Sequence, residues 1–220
     1  MKQGPFKKWG SEILFASLLL FFILPLASVF SSDLFPFFRN LIILVVILAG
    51  INTIGRRKWI YLVPYSMGVL ALLVNILHIA GVGIAESIRS FTSSLFFLFL
   101  TGTLLYKVIL QKEVDLKLVL EAMSSYMLIG FSSAIVFSAL FEMDPGMFVD
   151  TPKFSEGFTP FYFSFISMTT VGYGDITPTH PVSQALSVLL SIFGIFFTTI
   201  ILAIIVSKFI SSRQDQGSKI

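Results

Sequence analysis

The residues with the most specific chemistry are the seven from Thr169 to Asp175, which read Thr-Thr-Val-Gly-Tyr-Gly-Asp. Gly172 and Gly174 stand at every second position, and glycine adopts a positive φ without steric cost. A backbone of this kind can hold its carbonyl oxygens in arrangements that an ordinary strand resists, and Thr170 adds a hydroxyl oxygen. This segment therefore presents backbone and hydroxyl oxygens, and it is the first candidate for a functional site.

No catalytic constellation accompanies this segment. The chain has no cysteine, which excludes a thiol nucleophile, a thiolate zinc site and a disulfide framework. The sequence also shows no paired intramembrane carboxylates, no Ser/His pair and no cluster of metal ligands. We therefore do not expect an enzyme.

The composition points to a membrane as the solvent of the elements that position these residues. Of 220 residues, 55% are hydrophobic and 12% are charged, and the mean hydropathy is +0.91. That charged fraction is half of what a soluble domain carries. A spanning helix needs ~20 mostly apolar residues, and six stretches qualify: Ile13 to Phe30, Phe37 to Ile54, Trp59 to Ala80, Ser87 to Ile109, Val119 to Phe141 and Val182 to Ser207.

The basic residues predict how these spans are oriented. With the N-terminus in the cytoplasm, all of the 15 Lys and Arg residues fall on the cytoplasmic side except Arg39, Arg89 and Lys153. This bias is the positive-inside pattern. We therefore expect a multi-pass protein with both termini in the cytoplasm, in the plasma (inner) membrane, and no nucleic-acid partner.

One region interrupts the even spacing of the spans. Between Phe141 and Val182 a polar stretch is followed by a second apolar run, from Phe158 to Met168, which is too short to cross the membrane. A run of this length is typical of a re-entrant helix. Non-helical backbone at membrane depth is tolerated only where it is buried in protein or lines water. The segment that starts at Thr169 is therefore expected to face an aqueous path.

The sequence Thr-Val-Gly-Tyr-Gly at 170–174, followed by Asp175, resembles the selectivity filter of tetrameric potassium channels. The resemblance extends backwards to Phe161, Tyr162 and Phe163 in the position of the pore helix, and to Ser167, Met168 and Thr169 at its end. It covers about Val119 to Ser207. The first four spans match the six-span, one-pore-loop branch of the family only in number and hydropathy.

The resemblance implies an all-α membrane protein with six transmembrane helices, a re-entrant pore helix and a filter loop, assembled from four identical subunits among membrane lipids. It implies that K⁺ ions bind the carbonyl oxygens of Thr170, Val171, Gly172 and Tyr173, as filters of this type do. Val171 and Tyr173 would point away from the axis and brace the filter against the pore helix. Gly174 and Asp175 would support the filter, with Tyr162 as the hydrogen-bond partner of Asp175.

The sixth span contains two further candidates. Gly194 stands at the distance of the family's hinge glycine, and it serves either as a hinge or for close helix packing. Ile195, Thr198, Leu202 and Val206 recur at helical spacing. They form either the wall and inner constriction of a cavity or part of the contact with the fifth span. In the outer loop, four acids form either a negative vestibule or an ordinary solvated loop: Glu142, Asp144, Asp150 and Glu156.

The fourth span argues against a conventional voltage sensor. Several charges spaced along this span are needed for voltage sensing, but the stretch from Phe91 to Tyr106 carries none. The predicted organisation is a four-helix bundle without gating charges at 1–110, a cytoplasmic linker at 111–118, a pore domain at 119–210 and a short tail at 211–220. The expected function is a passive potassium-selective channel; the alternatives are a potassium transporter subunit and a non-selective cation channel.

Overall fold

The protein is described here as a computed structural model that covers residues 9–23, 25, 34–54, 62–83, 86–111, 114–149 and 158–217. Within these ranges the chain forms seven α-helices and one pair of very short strands. In chain order they are α1 (Gly10–Ile23), α2 (Leu34–Ile54), α3 (Leu62–Ile79), α4 (Glu86–Leu110), α5 (Leu116–Met143), β1 (Phe148–Val149), α6 (Thr159–Met168), β2 (Thr177–Pro178) and α7 (Pro181–Gly217).

Each predicted span coincides with one of the helices. Four of them, α3, α4, α5 and α7, are long and apolar enough to cross a membrane. The helix α1 and the Asn40–Ile54 part of α2 are shorter apolar helices, and the predicted extension of the first span to Phe30 lies outside the described residues. The structure is thus mostly helical and fits an integral membrane protein, while the count of six spans stays a prediction.

Two helix bounds differ from the predicted limits of the linker and the tail, while the division into units stays a prediction. The linker was placed at 111–118, but α5 begins at Leu116 because Asp115 caps it: the Asp115 carboxylate accepts a hydrogen bond from the Leu118 N–H at 2.8 Å. The tail was placed at 211–220, but α7 continues to Gly217. The mostly helical structure fits the predicted all-α class, and the two-residue strands β1 and β2 pair antiparallel with Phe148 opposite Pro178.

The core joins the helices of the N-terminal half to α5. Fully buried apolar side chains from α1, α2, α4 and α5 form one cluster, represented by Leu14, Val46, Phe96 and Phe131. The most extensive contact between two helices is that of α4 with α5, and α1 also packs on α5. Within the described residues, helices of the predicted four-helix bundle therefore pack directly on the first helix of the predicted pore domain.

Aromatic rings place α6 against this core. The Phe21 ring of α1 lies 4.5 Å from Phe161 of α6, measured between ring centroids, and Phe22 meets Phe165 edge-to-face at 4.7 Å. Phe131 of α5 lies 5.2 Å from Phe161. Aromatic pairs at such distances add to the energy of burial. The short helix α6 is therefore held by rings from both α1 and α5.

Candidate functional site

The segment after α6 is tied to the end of that helix by its backbone. The Thr170 N–H donates to the Ser167 carbonyl at 3.0 Å, and the Gly172 N–H donates to the Ile166 carbonyl at 3.1 Å. Both acceptors lie in the last turn of α6, where carbonyls lack partners within the helix. The chain therefore leaves the helix through a fixed turn and not as a free loop.

The backbone then turns left-handed at every second residue. The φ angles of Thr170, Gly172 and Gly174 are +60°, +50° and +79°. Successive carbonyls of an ordinary strand point to opposite sides. A positive φ at every second residue allows the carbonyls to point to one side instead. A left-handed residue with a Cβ costs roughly 1–2 kcal/mol. Positive φ is easy for the two glycines, whereas Thr170 stores strain that sequence reasoning did not anticipate.

Tyr162 and Asp175, which the resemblance pairs, lie within hydrogen-bond distance. The Tyr162 hydroxyl donates a hydrogen bond of 2.7 Å to the Asp175 carboxylate. This bond raises the pKa of the Tyr162 hydroxyl above its usual value. The raised pKa favours the protonated hydroxyl, which is the form that donates this bond. The bond links the first half of α6 to the residue just after Gly174.

The side chains of Val171 and Tyr173 are exposed on the surface of the single chain. Val171 is 53% exposed and Tyr173 is 72% exposed. Within the chain, therefore, neither side chain is buried against α6.

Two polar contacts and two close approaches fix α6 between α5 and α7. The Ser164 hydroxyl donates to the Gly130 carbonyl of α5 at 2.8 Å, and the Ser191 hydroxyl of α7 donates to the Ser167 carbonyl at 2.9 Å. A Cβ at Gly130 would lie 2.5 Å from the Phe165 ring. A Cβ at Gly194 would lie 2.0 Å from the Met168 carbonyl oxygen, which is backbone. Gly194 thus permits α7 to approach the end of α6, and α7 continues as a helix through it.

The four candidates on α7 beyond Gly194 are exposed in the single chain. Ile195, Leu202 and Val206 are 53%, 64% and 47% exposed. Thr198 and Leu202 also line a largely apolar cavity of about 430 Å³ that α7 shares with α1 and α5. This stripe of α7 therefore borders the fifth span at its edge and leaves most of its apolar surface uncovered.

The outer loop is joined to the segment that follows the site. The Thr179 N–H and the Ser183 hydroxyl both donate to the Met147 carbonyl, at 2.9 and 2.8 Å. Asp144 is exposed and accepts the Gly146 N–H at 2.9 Å, and Glu142 is exposed as well. Asp150 and Glu156 lie outside the described residues.

Sequence reasoning missed a buried polar cluster at the other end of α5. The Glu121 carboxylate is 1% exposed, accepts a hydrogen bond from Ser11 of α1 at 3.0 Å and lies 4.0 Å from the Lys107 ammonium of α4. Lys107 also donates to the Thr53 carbonyl of α2. An acidic residue within an apolar span usually has a functional or structural role. The position of Glu121 within the fifth predicted span was visible in the sequence.

Comparison with known proteins supports one class. A family model described as "Ion channel" matches residues 126–211, which include most of α5, all of α6, the segment from Thr169 to Asp175 and most of α7. No curated protein matches the chain. The match and the apolar helices support an ion channel in a membrane, which is a non-enzymatic class.

Proposed function

We propose that the chain is one of four identical subunits of a potassium-selective channel that passes K⁺ down its gradient. The observation that carries the proposal is the positive φ at Thr170, Gly172 and Gly174, directly after a short helix and within the sequence Thr-Val-Gly-Tyr-Gly. Carbonyl oxygens of Thr170, Val171, Gly172 and Tyr173 would replace the water of a K⁺ ion on the axis. One chain supplies one side of such a filter, so four copies are required.

The exposure of α7 supports contact between this helix and neighbouring subunits. Only 11% of the α7 span is buried within the chain, against 50% of the spans of α4 and α5. In the tetramer, inner helices and filters of neighbouring subunits would cover α7, Val171 and Tyr173. Ile195, Thr198, Leu202 and Val206 would then line the central cavity and its inner constriction. The outer surfaces of the helices would contact membrane lipids.

The short helix α6 contributes electrostatics as well as position. Its C-terminal end, near Met168 and Thr169, carries the negative end of the helix dipole, which favours a cation. In the proposed tetramer four such ends converge below the filter. Six spans would place both termini in the cytoplasm. With no charge between Phe91 and Tyr106, opening would not depend on a conventional voltage sensor.

Ion flux into liposomes tests the proposal. Purified protein is reconstituted with K⁺ or Na⁺ as the only permeant ion, and uptake is compared with that of Gly172→Asp and Gly102→Ala. Gly172 has a positive φ and forms part of the filter, whereas a Cβ at Gly102 meets nothing within 4 Å. We expect K⁺ uptake far above Na⁺ uptake, loss of both with Gly172→Asp, and normal uptake with Gly102→Ala. Equal uptake of the two ions would indicate a non-selective channel.

A further inference from the structure

One lysine forms several hydrogen bonds between the C-terminal part of α7 and the end of α4. The Lys208 ammonium donates hydrogen bonds to the carbonyls of Ile109 and Gln111 at 2.9 and 2.6 Å, and also to the carbonyl of Val108. The last carbonyls of a helix lack partners within it, and they lie at the negative end of its dipole. The lysine ammonium offers three hydrogen-bond donors to these carbonyls and a positive charge to the negative end of the dipole.

Lys208 continues the packed face of α7. Ile201 and Ile205 pack against a small buried cluster of Val108, Leu118 and Ala122 from α4 and α5. At about 100° per residue, Lys208 falls on the same face as Ile201 and Ile205. The exposed stripe of Ile195, Thr198, Leu202 and Val206 is centred roughly 100° away around the helix. The lysine thus acts on the side of α7 that faces its own chain, not on the side proposed to face the pore.

The helix end to which Lys208 binds is itself fixed. Lys107, one residue before Val108, contacts the Glu121 carboxylate of α5 and the Thr53 carbonyl of α2, and Glu121 is bonded to Ser11 of α1. Three helices therefore hold the end of α4 in place. A bond from α7 to this point restrains α7 against the rest of the chain.

We propose that Lys208 is a positioning residue that holds the inner end of α7 outward, away from the channel axis, and so stabilises the conducting state. The proposal rests on the tetrameric channel proposed above. Movement of the α7 end toward the axis would break three hydrogen bonds to α4. Lys208 lies two residues beyond Val206. A small displacement of α7 at Lys208 therefore changes the width of the pore at the proposed constriction.

Single-channel recording in planar bilayers tests the functional part. We expect Lys208→Met to lower the open probability at least several-fold, with unchanged unitary conductance and ion selectivity, because the filter is remote. Lys208→Arg keeps a cation with several donors and should restore most of the open probability. Lys117→Met, which removes an exposed lysine near the start of α5, is the matched control and should behave as wild type. An open probability of Lys208→Met equal to or above wild type would overturn the proposal.

A distance measurement tests the same point without conduction. Because the chain contains no cysteine, a spin label at Ile210→Cys is unique in each subunit. The distances between labels in the reconstituted protein should be shorter with Lys208→Met than with Lys208→Arg, and unchanged distances would refute the outward hold. An absence of any dipolar coupling between subunits would contradict the tetramer itself. If Lys208→Met does not fold, Lys208→Gln takes its place with the same expected direction.

Discussion

At the scale of single residues, the site depends on backbone torsions and on few side chains. The positive φ of Gly172 and Gly174 could be predicted from the sequence, because glycine adopts a positive φ freely. The positive φ of Thr170 had no such signal, since a β-branched residue is an outlier there. It becomes visible only once the turn after α6 is in place, with the Thr170 and Gly172 N–H groups bound to the end of that helix.

The Tyr162–Asp175 hydrogen bond is the residue-scale contact that is simplest to test. Tyr162→Phe removes only the hydroxyl that donates to Asp175, so the segment after Gly174 loses its link to α6. We expect a several-fold lower K⁺/Na⁺ permeability ratio or shorter openings in bilayer recordings. Tyr106→Phe makes the same chemical change in α4, and its currents should match wild type. Wild-type permeability and open times in Tyr162→Phe would show that the bond does not support the filter.

At the scale of elements, hydropathy located the seven α-helices of the described residues, whereas their contacts could not be predicted. Apolar runs give the positions of helices because a helix satisfies its own backbone in lipid. The bond between Ser11 and Glu121 joins residues 110 apart in the chain, and no local pattern indicates such a pair. Lys208 likewise looked like an ordinary cytoplasmic lysine until its contact with the end of α4 was known.

The substitution Gly194→Ala distinguishes a role in close helix packing from a role as a hinge. A Cβ at this position would lie 2.0 Å from the Met168 carbonyl oxygen, and backbone cannot move aside as a flexible side chain can. We expect Gly194→Ala to lower the melting temperature in detergent and to reduce K⁺ uptake. Gly102→Ala is the control: no atom lies near its Cβ, and alanine favours a helix by about 1 kcal/mol over glycine. A wild-type melting temperature together with fewer openings would instead indicate a hinge alone.

The Glu121 cluster tests the attachment of α4 to the pore region. Removal of one partner from a buried ion pair costs ~3–5 kcal/mol, so Glu121→Ala should lower the melting temperature by roughly 10 °C, at about 2–4 °C per kcal/mol for a chain of this size. Glu121→Gln keeps an acceptor for Ser11 and should have a smaller effect. Glu142→Ala removes an exposed acid near the other end of α5 and should leave the melting temperature unchanged. Equal melting of Glu121→Ala and wild type would contradict this role for the cluster.

At the scale of the whole molecule, the main feature is the long face of α7 that no other part of the described chain covers. Large apolar side chains remain exposed along α7, among them Phe193, Phe196 and Leu202 at 63%, 59% and 64%. Lipid could cover an outer helix of this kind, whereas in the proposed tetramer neighbouring subunits cover α7, Val171 and Tyr173. We expect native mass spectrometry in mild detergent to show four copies of the 24.5-kDa chain. A monomer in a folded and conducting preparation would contradict the tetramer.

The reversal potential under bi-ionic conditions is the most direct test of the central claim, that the backbone from Thr170 to Tyr173 selects K⁺. Purified channels are placed in a planar bilayer with K⁺ on one side and Na⁺ on the other. The predicted result is a reversal potential displaced strongly toward the value at which only K⁺ carries current. A reversal potential near zero, with currents of similar size carried by both ions, would contradict it.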